Sequence, residues 1–379
     1  MKLESMVRSP DALVNNPQPL PSLPHRFQRL AELVACVPGG HAKIVDGFQD
    51  RLYVYSCYFE MKELTSLELC AGAGGQALGM EQAGIHHVGV VELDASACET
   101  LRKNRPRWNI IQADIRNLRC SEFRGVDIVS AGLPCPPFSV AGKQLGKDDE
   151  RNLFPAAIRI IDEVRPRAVM IENVRGILDA VFEDYRTYVG GELSKMGYFT
   201  EWKLLNASDF GVPQLRPRVI FIAVQNRDAG NFSWPHPLLK VPPAIGDLLF
   251  DLMAARGWKG AHSWKRKASE IAPTIVGGSL KHGGPDLGPT RARKAWAALN
   301  VDGLGIADEA PGRDFVGMPR LTVRMVARIQ GFPDDWTFCG SKTSAYRQVG
   351  NAFPPPVARA VAVELFRCLT EYRSAQFAD

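Results

Sequence analysis

Cys135 stands in the stretch SAGLPCPPFS, residues 130–139, with Pro134 before it and Pro136 and Pro137 after it. Proline fixes its own φ and pushes the preceding residue out of the helical region. The thiol is therefore expected on a stiff, irregular loop. Directly upstream, VDIVSAG is a short apolar run bounded by glycine, the pattern of a buried strand. A cysteine on a rigid loop at a strand end is positioned to react, although by residue type alone a small buried hydrophobe is the commoner role. Glu172 ends the apolar run AVMIE one strand–helix–strand unit later and is followed by Asn173 and Val174. In a parallel sheet, Cys135 and Glu172 would project from the same edge. Alone, such a glutamate is equally a helix cap or a surface charge. Arg216 and Arg218, in FGVPQLRPRVIF, sit on a segment kept extended by Pro213 and Pro217. With a side-chain period of two they face the same way. Two guanidinium groups on one face suit a phosphate or a base carbonyl; a solvated edge strand is the competing reading.

A second constellation lies earlier in the chain. SLELCAGAGG joins an apolar run to a helical one through Gly72, Gly74 and Gly75. Glycines permit a tight turn and close approach of a ligand, and the helix N-terminus behind them offers unpaired N–H groups to an anion. Phosphate, dinucleotide and S-adenosylmethionine binders share such a turn. Two acids follow at strand ends: Glu92 closes VGVVE and Asp114 closes IIQAD. Glu92 suits ribose hydroxyls and Asp114 an adenine amino group, which together describe a nucleoside laid across the sheet edge. Each acid alone could instead cap the helix after it.

The elements that must carry these residues are legible as an alternation. LTSLELC, HHVGVVELD, NIIQADI, VDIVSAG and AVMIENV read as strands, followed by FTEWKLLNAS and RVIFIAV; QALGMEQAG, ASACETLRKN, LFPAAIRIIDEV and YVGGELSKMGY read as helices. The pattern predicts an α/β domain with a doubly wound, mostly parallel sheet, in which ligands bind at the carboxyl ends of the strands. The sequence divides into an N-terminal extension over 1–60, expected to be partly disordered, an α/β domain over 61–225, a proline- and glycine-rich module over 226–318, and a return to the first domain over 319–379. In the last part RLTVRMVARIQGF predicts a helix starting near Leu321 or Thr322, and PPPVARAVAVELFRCL a terminal helix begun by proline. The 379 residues are 45% hydrophobic and 23% charged, which excludes a disordered or membrane-spanning chain. Eight cysteines form no CxxC pair, so the sequence implies no metal site, and it carries no signal-peptide pattern; a reduced, cytoplasmic setting follows. A net charge of +5 permits a polyanionic partner without requiring one.

From about Leu64 to Leu369 the chain resembles the DNA cytosine-5 methyltransferases. LELCAGAGG looks like their cofactor motif, GLPCPPFS like their nucleophile loop, ENV like their glutamate strand and PQLRPRV like their paired-arginine motif; RLTVRMVARIQGFP and QVGNAFPPPVA look like the two motifs that close the domain. The resemblance implies a Rossmann-like, S-adenosylmethionine-dependent fold, with 226–318 as target recognition domain. It implies that Cys135 attacks C6 of a cytosine, that Glu172 protonates or hydrogen-bonds N3, and that Arg218, with Arg216, lies near O2 and the backbone. It carries over Cys70, Gly72, Gly74, Gly75, Glu92, Leu93, Asp114, Ile115, Pro134, Leu153, Asn351 and Ala352 as cofactor residues. Ser139, Lys265, Arg266, Arg291 and Arg293 are candidates for DNA contacts, and Trp258, His262 and Trp264 further candidates for the recognition surface. Two positions depart from the family pattern: Cys70 stands where phenylalanine is usual, and Pro136 where glutamine is.

The expected activity is methyl transfer to a specific double-stranded DNA sequence by a monomeric bacterial or phage enzyme of a restriction–modification system, acting alone or beside a cognate endonuclease. Three alternatives share parts of the pattern. An RNA cytosine-5 methyltransferase of the tRNA-modifying branch has the same motifs. A non-catalytic DNA-binding protein on this scaffold would not need Cys135, Glu172 and Arg218 intact. A nucleotide-dependent oxidoreductase would need the GxGxxG spacing, which is absent, and would leave the Cys–Glu pair without a role.

Overall fold

The computed structural model describes residues 63–134, 152–278, 284 and 286–376. Cys135, Pro136, Ser139 and the expected N-terminal extension lie outside these residues.

Seven strands form one sheet: β1 (Leu64–Leu69), β2 (Ile85–Glu92), β3 (Ile110–Gln112), β4 (Ile128–Gly132), β5 (Ala168–Val174), β6 (Tyr198–Asn206) and β7 (Pro217–Gln225). Their order is β3-β2-β1-β4-β5-β7-β6. All pairings from β3 to β5 are parallel, and β7 runs antiparallel to both β5 and β6. This is the doubly wound, mostly parallel sheet that the alternation predicts. Order reverses between β1 and β4, so the carboxyl ends of these two central strands form the switch-point crevice of such folds.

The helices α1 (Gly75–Gln82), α2 (Ala95–Asn104), α3 (Phe154–Val164) and α4 (Glu183–Lys195) follow the strands in turn. Helix α3 shows why the winding works: Phe154, Ala157, Ile158, Ile161 and Val164 recur at helical spacing and are buried. That stripe packs with Tyr185, Val189 and Leu193 of α4 against Leu67, Leu69, Val129 and Ile171 on one face of the sheet. The opposite face is covered by the terminal helix α11 (Pro355–Gln376), whose Val357, Val361 and Leu365 pack with Met80, Ile128, Met170 and Ile222.

Between β7 and α11 lie α5 (Ile245–Leu248), α6 (Phe250–Ala254), α7 (Ala261–Lys267), α8 (Thr290–Ala298), α9 (Val323–Ile329) and α10 (Lys342–Asn351). The composition of 226–318 obscures the four short α-helices among its described residues, because none exceeds nine residues, about two and a half turns of apolar spacing. Thr322 caps α9, its Oγ1 accepting from the Met325 N–H at 3.3 Å. Helices α9 and α10 share a hydrophobic core with this module: Met325, Val326, Ile329, Tyr346 and Val349 pack with Ile245, Leu249, Trp264 and Trp296. Trp258 and Trp264, read from sequence as recognition candidates, are 6% and 1% exposed and belong to that core.

Candidate active site

The turn after β1 is built by backbone geometry. Gly74 has φ +86°, and a Cβ there would also meet Leu101 at 2.7 Å and Trp336 at 3.1 Å. At Gly75 a Cβ would collide with the Phe353 carbonyl oxygen, which comes from the segment between α10 and α11. The two ends of the chain region thus meet at this turn, and Ala352 lies against it. Cys70 also adopts positive φ, at +53°. Its thiol is held far above the usual range by burial and by the Glu92, Glu68 and Asp114 carboxylates.

Glu92 does not cap a helix. Its Oε2 accepts from the Gly72 N–H at 2.6 Å, and its Oε1 accepts from the Leu93 and Asp94 N–H groups at 2.8 Å. The cap of α2 is Asp94, which accepts from the Ala97 N–H. Asp114, at the end of the neighbouring strand, forms an ion pair with Arg116 at 2.5 Å and accepts from the Arg116 N–H. Those bonds hold its carboxyl below the usual range. Leu93 between them is 59% exposed, so an apolar side chain projects into solvent beside the two acids. Ile115 is buried, whereas Leu153 is half-buried at the start of α3. Asn351 is exposed, its amide reaching the Gly278 carbonyl at 3.3 Å. The glycine turn, the two acids and the exposed leucine gather at the carboxyl ends of β1, β2 and β3.

Glu172 lies at the adjoining strand end. In the β4–β5 register it pairs with Gly132, three residues before Cys135 in the chain. Arg218 Nε lies 2.8 Å from Glu172 Oε1, and in the β5–β7 register Arg218 stands opposite Val174. Glu172 is only 4% exposed. Burial raises its pKa, and Arg218 and Arg216 oppose that rise without cancelling it. A carboxyl of this kind can hold a proton and deliver it.

The two arginines are not equivalent, despite their spacing. Arg216 is fully buried, and its guanidinium donates to the carbonyls of Ile275 at 2.7 Å, Gly350 at 2.8 Å and Ala352 at 3.0 Å. It clasps the variable module and the end of α10 to the start of β7. Strand β7 is interior to the sheet, so the solvated-edge reading does not apply.

Sequence reasoning missed three participants. Arg116 was signalled by its opposite charge two residues from Asp114. Trp336 braces the glycine turn from a distant segment and had no local signal. Glu68, in the strand before the turn, had no local signal, because its partners Ser130 and Gln76 come from other elements. Among the basic candidates, Lys265 is paired with Asp247 at 2.8 Å, while Arg266, Arg291 and Arg293 make no ion pair among the described residues.

Comparison with known proteins agrees with this geometry. The profile of the C-5 cytosine-specific DNA methylases matches residues 64–367. Type II methyltransferase M.NgoMIV of Neisseria gonorrhoeae is 53% identical over 312 residues, covering 81% of this chain and 98% of its own. Type II methyltransferase M.NaeI of Lentzea aerocolonigenes is 55% identical over 307 residues, covering 79% and 74%. The crystal structure of Spodoptera frugiperda DNMT2 shares the fold at a TM-score of 0.55 and 21% identity, over 80% of this chain and 99% of that one. With the profile spanning most of its length and the glycine turn, the glutamate strand and the arginine motif converging on one sheet edge, the chain belongs to the C-5 cytosine-specific DNA methylase family.

Proposed function

We propose that this enzyme transfers the methyl group of S-adenosylmethionine to C5 of a cytosine flipped out of a specific double-stranded DNA sequence. The observation that carries the reading is the β4–β5 register, which sets Glu172 beside Gly132, three residues from Cys135. The Cys135 thiolate attacks C6. Glu172 supplies a proton to N3 or hydrogen-bonds it, so that the ring accepts the attack, and the raised pKa of Glu172 supports that role. Arg218, ion-paired with Glu172, would fix the carboxyl and neutralise O2 of the base. Once C5 carries the methyl group, loss of its proton to a base re-forms the C5–C6 double bond and expels the thiolate by β-elimination.

The residues gathered at these strand ends suit the cofactor: Glu92 would take the ribose hydroxyls, Asp114 the adenine amino group, Leu93 the adenine face, and the Gly72–Gly75 turn the methionine end. Pro134, Leu153, Ile115, Asn351 and Ala352 would line the rest. When bound, S-adenosylmethionine supplies an electrophilic methyl group. Cys70, in place of an aromatic ring, offers no face for stacking, which leaves Leu93 as the apolar surface.

Access to C6 requires the cytosine outside the stack, at a cost of a few kcal/mol. Phosphate contacts must offset it. Arg266, Arg291 and Arg293 suit that task better than Lys265, which is engaged with Asp247. Trp258 and Trp264 support the module from within. The close Type II relatives favour a modification enzyme partnered with an endonuclease.

Bisulfite sequencing of DNA from cells expressing the protein is expected to show C5 methylation at one short sequence. Cys135→Ser should abolish transfer and leave cofactor binding largely intact. Full activity in that variant would overturn the mechanism, and unmodified DNA with the intact protein would overturn the activity.

A further inference from the structure

A layer of polar side chains lies inside the molecule, between the sheet and helix α1. Ser66 and Glu68 of β1, His87 of β2, Ser130 of β4 and Gln76 in the first turn of α1 compose it. All but His87 are at most 3% exposed. His87 Nε2 lies 2.8 Å from the Ala77 carbonyl and so must donate to it; Nδ1 then accepts from the Ser66 hydroxyl at 2.8 Å. Burial lowers the pKa of this imidazole and so favours the neutral ring.

Glu68 is the unusual member. It is completely buried, and no cation pairs with it among the described residues. Its Oε2 receives a short hydrogen bond from the Ser130 hydroxyl and a longer one, at 3.5 Å, from the Gln76 amide. Its Oε1 and the Gln76 Oε1 are both buried and have no hydrogen-bond partner among the described residues. A buried carboxylate with two neutral donors and no counter-ion is far from its least costly state. A proton on Glu68 removes the charge and adds one donor to a layer that is short of donors.

The charged groups on the elements packed around it are engaged elsewhere or turned away. Asp127 at the start of β4 accepts from Thr65, and Glu81 at the end of α1 is bonded to Arg105 and Trp108. Arg359 of α11 is exposed. The Cys70 thiol, two residues on, is neutral because its pKa is raised. Burial likewise pushes the Glu68 carboxyl up, to about 7.

We propose that Glu68 is a positioning residue for methyl transfer. In its neutral form the carboxyl joins β1, β4 and the first turn of α1, and so fixes the glycine turn relative to the strand end that leads into Cys135. This rests on the functional reading given above. Ser130 is five residues before Cys135, and Gln76 directly follows Gly75, so one side chain spans the two halves of the site. Ionisation would place an uncompensated charge in that joint and loosen the turn on which the cofactor sits.

The test compares the intact protein with Glu68→Gln and Glu68→Ala from about pH 6 to pH 9, across the raised carboxyl range. Glutamine copies the neutral carboxyl and cannot ionise. S-adenosylhomocysteine, which cannot react, serves as the binding probe. The intact protein should bind it more weakly as pH rises past about 7. Glu68→Gln should bind with the low-pH affinity throughout. Glu68→Ala should lose about tenfold or more at every pH, the equivalent of one buried hydrogen bond. The infrared difference between the intact protein and Glu68→Gln should contain a protonated-carboxyl band at low pH that fades on titration. Absence of that band, or a Glu68→Gln variant with the pH dependence of the intact protein, would overturn the proposal. These readouts need no methyl transfer. An intact protein that binds S-adenosylhomocysteine but leaves DNA unmodified would instead overturn the functional reading.

Discussion

In the proposed mechanism Glu172 and Cys135 set opposite demands on the medium. Cys135 must lose a proton to act, and a free thiol titrates near pH 8.5. Glu172 must keep one, and its burial holds the proton to higher pH than an ordinary carboxyl would. The folded-state pKa of Glu172 is raised, so the active protonated form is present at low pH and is lost as pH rises through that value. The pH–rate profile should therefore be bell-shaped, with Glu172 on the falling limb. Glu172→Gln should lower kcat by about 10²–10⁴-fold, the range of general acid catalysis. It should also remove the falling limb, which a stopped assay of methyl incorporation across pH would show. Glu68 makes a separate prediction for stability. Its pKa rises from 4.5 to about 7 on folding, so the native state binds the proton more tightly. Stability then falls with rising pH between those values, by roughly 3 kcal/mol at most. Denaturant unfolding of Glu68→Gln should lack that decline.

At the scale of elements, the site depends on two joints. The glycine turn meets the segment after α10 at Gly75, where a Cβ has no space before the Phe353 carbonyl. Gly75→Ala should cost roughly 1–3 kcal/mol from overpacking, with a larger fractional loss of cofactor affinity than of stability, measured by titration and melting. The other joint is Arg216. Arg216→Ala leaves three buried carbonyls without their donor, each worth about 1–3 kcal/mol, and thermal unfolding should drop accordingly. These joints mark where the sequence was legible and where it was not. Strands β1, β2, β4 and β5 and helix α3 carry their own periodicity, and the acids and the glycine turn fall at element ends that local pattern reveals. Arg216 and Arg218 look identical at the level of spacing; only the approach of Ile275 and Gly350, far along the chain, separates a clasp from a site group. Helix α10 is likewise not legible, because KTSAYRQVGN is mostly polar and its buried Ala345, Tyr346 and Val349 meet partners from distant elements. Glu68 was hidden for the same reason as the clasp: its partners come from other elements.

Across the whole molecule, the basic side chains are unevenly committed. Lys259, Lys265, Arg256, Arg320 and Lys342 are each within 3.0 Å of a carboxylate oxygen, whereas Arg266, Arg291 and Arg293 have no such partner among the described residues. Replacing Arg291 and Arg293 with alanine should weaken DNA binding and reduce the slope of log affinity against log salt by about 2, one for each phosphate that is no longer neutralised; fluorescence anisotropy over a salt series measures both. No described helix is long and apolar enough to cross a membrane. The hydrophobic core that α9 and α10 share with α5, α7 and α8 has a consequence for recombining specificities. A graft cut at residues 226 and 318 leaves Met325, Val326, Ile329 and Tyr346 behind, facing a foreign surface. A graft whose far seam lies between α10 and α11 keeps those four side chains with their partners in the module. Chimeras of the second kind should stay folded and adopt the donor's DNA target, and chimeras of the first kind should aggregate.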